Sequence, residues 1–255
     1  MHSKDEYIAV FDSGVGGISV LRELVALMRS ENFLYYGDSA NAPYGDRPTQ
    51  QVRQLTMAAA DMLMERGVKA LVIACNTATA AAIADLRKAY PDTIIIGIEP
   101  ALKLAYNRFP AGRVGVMATQ VTLREEKFAQ QLERFPDMQV SLIPAPGLVE
   151  RIEAGQADAP ETYALLRQLL APYADKLDAL VLGCTHYPFV KQAVSRILGE
   201  TVTLLDGSEG TARHTMRRLE EAGLLRQGEG SVQIENSSGD PALTALAARL
   251  LQWEA

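Results

Sequence analysis

No stretch of this chain approaches the roughly 18 consecutive apolar residues that a membrane-spanning helix needs, so no membrane partner is expected. Positive charge is also short. Lys and Arg number 25 against 31 Asp and Glu, the net charge is −6, and the pI lies near 5.2. Nucleic-acid binding draws on a basic surface, so a nucleic-acid partner is not expected either. Histidine is scarce, with only His2, His186 and His214, and no Cys-x-x-Cys or His-x-x-x-His spacing occurs. A tetrahedral metal site would need four such ligands, so no metal is expected. There are two cysteines, Cys75 and Cys184. The opening Met-His-Ser-Lys-Asp-Glu-Tyr is polar and leads straight into a strand-like run, unlike a secretory signal. Two thiols in such a chain point to the reducing cytoplasm rather than to a disulfide. Neither Gly-x-Gly-x-x-Gly nor Gly-Lys-Ser/Thr is found, and no lysine stands in a recognisable Schiff-base site, so no cofactor is expected.

What the chain does have is alternation. Its 48% hydrophobic and 22% charged residues are ordinary for a globular protein. Strand-like runs at 7–11, 33–36, 68–74 and 93–98 alternate with helix-like runs at 18–28, 50–66 and 77–90. The cycle restarts with strands expected at 114–118, 139–143, 179–183 and 202–205. Helices are expected at 123–135, 148–154, 161–173, 189–198 and 211–222. Residues from Ser231 onward are expected to pack back on the first half. The fold class implied is α/β: two similar doubly wound parallel-sheet domains related by pseudo-two-fold symmetry, with the active site in the cleft between them. The expected division is 1–98 plus 207–255 for the domain bearing Cys75, and 99–206 for the domain bearing Cys184.

The two cysteines close near-identical runs. Residues 70–77 read Ala-Leu-Val-Ile-Ala-Cys-Asn-Thr, and 179–186 read Ala-Leu-Val-Leu-Gly-Cys-Thr-His. Each run is short and rich in β-branched residues, as buried parallel strands are, and each precedes a plausible helix start. Parallel sheets place ligands at the carboxyl ends of their strands. A helix start favours the thiolate, the reactive form. Two thiols facing one substrate from opposite sides would be two proton-transfer groups, the arrangement that inversion at carbon needs. A buried structural role is the competing reading for either cysteine alone. Asn76, Thr77 and Thr185 stand beside the thiols as candidate ligand-binding groups, and His186 as a proton relay. Asp12-Ser13-Gly14-Val15-Gly16-Gly17 can turn tightly and offer N–H groups to an anion. Gly37-Asp38 and the polar loop from Asn41 to Asp46 follow the second strand, and Tyr44 and Gly45 could form the lip of a small site. Thr119 and Thr122 occupy the matching place after the strand that opens the second half. Glu153 ends a short helical segment.

Together these segments resemble the glutamate racemase family. The matching pieces are Phe11-Asp-Ser-Gly-Val-Gly-Gly17, Gly37-Asp-Ser-Ala-Asn-Ala-Pro-Tyr-Gly45, Ala74-Cys-Asn-Thr-Ala-Thr79 and Gly183-Cys-Thr-His-Tyr-Pro188, with Met117-Ala-Thr-Gln-Val-Thr122 and Ser238-Gly-Asp-Pro241 in agreement. The resemblance implies a cofactor-independent enzyme interconverting L- and D-glutamate for peptidoglycan precursors in the bacterial cytoplasm. It makes Cys75 and Cys184 the catalytic thiols, with Asp12, His186 and Glu153 as acidic or relay groups beside them. Substrate binding falls to Asp12, Ser13, Tyr44, Gly45, Asn76, Thr77, Thr119, Thr122, Thr185 and His186. It also implies that Cys75 acts on the D-isomer and Cys184 on the L-isomer. Small-molecule glutamate is the expected partner, and a homodimer is compatible with the sequence without being specified by it. The rival readings are an aspartate or hydantoin racemase, an amino-acid-binding protein of periplasmic type and a dinucleotide-dependent oxidoreductase. The motifs favour none of the three.

Overall fold

The computed structural model describes residues 2–98, 101–124 and 126–253. The chain falls into two compact units. One comprises Met1–Glu99 with Ser208–Gln252, the other Pro100–Gly207 with Trp253–Ala255. The expected division after residue 98 stands beside Glu99 and Pro100, which lie outside the described residues.

The first unit begins with β1 (Tyr7–Asp12), α1 (Ile18–Leu27), β2 (Asn32–Gly37), α2 (Thr49–Met64), β3 (Val68–Ile73), α3 (Asn76–Ala89) and β4 (Ile94–Gly97). The second contains α4 (Leu102–Arg108), β5 (Arg113–Ala118), α5 (Gln120–Arg124), α6 (Glu126–Leu132) and β6 (Gln139–Pro144), then α7 (Leu148–Glu153), α8 (Pro160–Leu170), β7 (Ala179–Leu182), α9 (Lys191–Leu198) and β8 (Thr203–Asp206). The chain then returns to the first unit with α10 (Ser208–Glu221), β9 (Ser231–Asn236) and α11 (Pro241–Leu251).

Every strand pairing is parallel. The first sheet runs β4-β3-β1-β2-β9 and the second β6-β5-β7-β8. Numbered within its own unit, each contains the order 2-1-3-4, and β9 extends the first sheet beyond β2. The strands follow from their composition. β3 is buried along its whole length and β7 likewise; β7 is apolar throughout, and β3 is apolar except for Lys69, as strands covered on both faces tend to be. Phe11, Leu34, Leu71, Ile73 and Leu86 lie in one core cluster, and Val114, Val116, Phe128, Val181 and Leu205 in another.

Several elements differ from the expectations. β9, α4 and α11 are not anticipated as elements. β9 is an edge strand whose sequence, Ser-Val-Gln-Ile-Glu-Asn, is mostly half-exposed and carries little apolar signal. α4 spans only seven residues. The single helix expected over 123–135 is instead two, α5 and α6, ending at Leu132; Glu125 between them lies outside the described residues. The helix expected from 189 begins instead at Lys191, after a 3-10 turn, Tyr187–Val190, that contains Pro188.

Candidate active site

In a 2-1-3-4 sheet the connections leave strands 1 and 3 in opposite directions, opening a crevice at their carboxyl ends. Both cysteines sit there, each in its own unit. In the first unit the β1–β3 ladder continues past the strands, with Ala74 N–H donating to the Phe11 carbonyl at 2.7 Å. In the second, Gly183 N–H donates to the Met117 carbonyl at 2.7 Å. Cys75 and Cys184 are the residues that follow, and both are free thiols.

Cys75 is the N-cap of α3, and its Sγ accepts from the Ala78 N–H at 3.5 Å. A helix start of this kind favours an anion, through its unpaired N–H groups and its dipole. Ser13 Oγ lies 3.5 Å from the same sulfur. Asp12, at the end of β1, is fully buried, and its carboxylate accepts from the Gly14 N–H at 3.1 Å. The turn needs glycine at position 17, where a Cβ would stand 2.6 Å from the Asp12 Cβ and 3.0 Å from that of Ala74. Asn76 Oδ1 is buried without a hydrogen-bond partner, so the residue after Cys75 offers an open acceptor. Thr77 follows it, half-buried. Tyr44 is buried with its ring tilted against Phe11, and Gly45 beside it is half-exposed. The Tyr44 hydroxyl donates to Asp38 Oδ2 at 2.7 Å. Burial first, then that hydrogen bond and the charges of Asp38, Cys75 and Asp12, hold the phenol far above its usual range, so it stays protonated.

Cys184 heads a chain of contacts. His186 Nδ1 lies 3.6 Å from its Sγ, and His186 Nε2 lies 2.6 Å from Glu153 Oε1. Burial lowers the imidazole, but hydrogen bonds to Cys184 and Glu153, reinforced by their charges, outweigh it and carry His186 well above its ordinary value. Thr119 follows β5; its Oγ1 is 2.9 Å from Thr122 Oγ1 and accepts from the Thr122 N–H at 3.3 Å. Thr185 is buried beside the thiol. The Tyr187 hydroxyl is, with Asn76 Oδ1, the second buried side-chain atom without a partner among the described residues.

The sequence-predicted groups thus form two sets. Ser13 meets Cys75, while Glu153, looser as a sequence signal, is joined to Cys184 through His186. In the sequence Asp38 is only part of a polar loop. Its signal was positional, since it follows β2 as Asp12 ends β1. Tyr187 follows His186, and the sequence carries no sign that its hydroxyl is unpaired. Among the described residues, no group of three or more His, Cys, Asp or Glu is placed to hold a metal, and no helix is long and apolar enough to cross a membrane.

Residues 10–215 match the family model described as Asp/Glu/Hydantoin racemase. The glutamate racemase of Clostridium perfringens is 47% identical over 253 residues, covering 98% of this chain and 97% of that protein. That of Clostridium kluyveri is 44% identical over 256 residues, covering 99% of this chain and 100% of that one. Among solved structures, glutamate racemase from Thermus thermophilus in complex with β-chloro-D-alanine superposes with a TM-score of 0.84 at 39% identity, covering 97% of this chain and 94% of that one.

Proposed function

The chain belongs to the Asp/Glu/hydantoin racemase family, and from that premise we propose that it interconverts L- and D-glutamate without a cofactor, using Cys75 and Cys184 as its two acid/base groups. The observation that carries the reading is the recurrence of a free thiol at the same switch point of two sheets with the same strand order. One such thiol is common in a core. Two, each beside polar groups at the place where α/β sheets bind ligands, make an acid/base pair.

The chemistry follows from the α-carbon. Its proton is weakly acidic, and the carbanion left by its removal needs charge stabilisation from fixed donors and helix starts. One thiolate takes the proton while the other thiol delivers its own to the opposite face, so configuration inverts and the enzyme ends with the two protonation states exchanged. Cys75 acts on the D-isomer, with Ser13 and the α3 start beside it; Cys184 acts on the L-isomer, with the His186–Glu153 pair beside it. Asp12, Ser13, Tyr44, Gly45, Asn76 and Thr77 bind substrate from the first unit, and Thr119, Thr122, Thr185 and His186 from the second. The reading gives each of the divisions 1–98 plus 207–255 and 99–206 one thiol, and requires that a single glutamate be offered to both. Its setting is the bacterial cytoplasm, where D-glutamate supplies peptidoglycan synthesis. Glutamate is the one partner it requires, and a homodimer is compatible with it.

Circular dichroism of purified protein with each enantiomer of glutamate and of aspartate, and no added cofactor, tests this. The expected result is decay of the signal from either glutamate enantiomer to zero. Dependence on added pyridoxal phosphate, or preference for aspartate, would overturn it.

A further inference from the structure

The loop that follows β2 converges on one carboxylate. Asp38 is 96% buried, since its relative exposure is 4%, yet it lies at the end of a strand where a solvated aspartate would be unremarkable. Its backbone N–H continues the sheet by donating to the Asp12 carbonyl at 2.9 Å, which fixes where the side chain starts. Both carboxylate oxygens accept from Asn41 Nδ2 at 3.1 Å, and Oδ2 also accepts from the Tyr44 hydroxyl at 2.7 Å. Arg47 Nε donates to the Asn41 carbonyl at 2.6 Å, extending the network to the far end of the loop. Burying a carboxyl group is costly unless donors surround it, as Asn41 and Tyr44 do here. The short turn Tyr44–Asp46 packs against α3, the helix that Cys75 caps.

We propose that Asp38 is a positioning residue: by accepting the Tyr44 hydroxyl and the Asn41 amide it holds the loop from Asn41 to Asp46 so that Tyr44 and Gly45 bind glutamate beside Cys75. The inference rests on the racemase reading and deepens it. A consequence is specific to proton placement. With its hydrogen committed to Asp38, the phenol presents only oxygen lone pairs to its other neighbours. Tyr44 therefore supplies no proton on the Cys75 side. A role in the fold alone would lower stability without altering how glutamate binds.

Two measurements test this on Asp38→Ala, Asp38→Asn, Tyr44→Phe and the double variant Asp38→Ala/Tyr44→Phe. The first is steady-state racemisation. Loss of hydrogen bonds that organise binding should raise KM for both enantiomers, roughly ten-fold or more for Asp38→Ala, with a smaller fall in kcat. Asp38→Asn keeps an acceptor for Tyr44 and should recover most of the loss. Because Asp38 acts through Tyr44, the double variant should be no worse than the poorer single one. The second is the alkylation rate of Cys75 by iodoacetamide, measured in a Cys184→Ser background. It should rise on Asp38→Ala and by no more in the double variant. Multiplicative effects of the two changes, or wild-type KM and alkylation rate in Asp38→Ala, would overturn the proposal. Should Asp38→Ala fail to fold, Asp38→Asn with Tyr44→Phe runs the same cycle. Alkylation needs no turnover, so a wild-type protein inactive on glutamate would sink the racemase reading while leaving Asp38 to be judged separately.

Discussion

At Cys75 and at Cys184, exchanging sulfur for oxygen keeps the size and the polar neighbours and removes the acidity. A serine hydroxyl is too weak an acid to stand in for a thiol in a single step. Cys75→Ser and Cys184→Ser should therefore each abolish racemisation while still binding glutamate. Each variant keeps one working base, so a substrate with a leaving group on Cβ distinguishes them. The remaining thiolate takes the Cα proton as the leaving group departs with its electron pair. Cys184→Ser should eliminate only from the D-substrate, and Cys75→Ser only from the L-substrate. Racemisation by either variant at near the wild-type rate would show that two bases are not at work. On the Cys184 side the relay makes a pH prediction. His186 has a folded pKa raised above its unfolded value, so its favourable interactions are fully present below about 6.5 and fade as pH rises through the folded value. Urea melts should then show His186→Asn losing more stability relative to the native protein in mild acid than at alkaline pH. An equal deficit at both would mean that the imidazolium is not what Glu153 holds. Glu153→Gln should slow reaction from L-glutamate with a larger Cα isotope effect than from D-glutamate; equal isotope effects in both directions would argue that the relay serves neither thiol preferentially.

Helix ends show how far elements could be read from sequence. Asp240 caps α11 by accepting the Ala242 N–H at 2.8 Å, with Pro241 in the first helical turn. Asp240→Ala should lower stability by about 0.5–2 kcal/mol in chemical denaturation, leaving the racemisation rate unchanged. Asp-Pro was visible in the sequence, yet its helix was not placed, because the strand before it was missed. β9 pairs along one side only, and four of its six residues are half-buried, so neither alternation nor a continuous apolar run marks it. By contrast β3 and β7 were legible from composition, being enclosed on both faces. The same logic governs the site. Cys75 and Cys184 were legible because a strand pattern delivers them to a defined edge. The Asp38 network was not, because it depends on how the connection between β2 and α2 folds back on itself, and no periodicity encodes that. Pro43 and Gly45 signalled irregular backbone without saying which side chain organises it.

At the scale of the whole chain, one buried ammonium joins segments far apart in sequence. Lys69, fully buried at the start of β3, donates to Glu31 at 2.6 Å, to the Lys4 carbonyl at 2.5 Å and to the Leu224 carbonyl at 3.0 Å. The other Glu31 oxygen accepts from the Arg226 N–H at 2.8 Å. Lys69→Met would strand the Glu31 carboxylate without its cation, at a cost of about 3–5 kcal/mol in urea unfolding, whereas adding Glu31→Leu should recover much of it. A double variant as unstable as the single would mean that packing, not charge, sets the cost. The sequence marked both cysteine strands by their apolar residues, but Lys69, second in its strand, gave no hint of its partners, which come from both segments of the first unit.

The return of the chain to its first sheet has a consequence on the ribosome. The main stretch of the second unit, 100–207, has been made once residue 207 has emerged, whereas β2 waits for β9, synthesised from 231 to 236, to cover its open edge. Until then a row of unpaired backbone groups on β2 is exposed to other nascent chains. A nascent chain that has emerged as far as residue 222 should accordingly hold a protease-resistant second unit and a first unit that is readily cleaved and prone to aggregate. Emergence of β9, through Asn236, is the step that should make the first unit resistant.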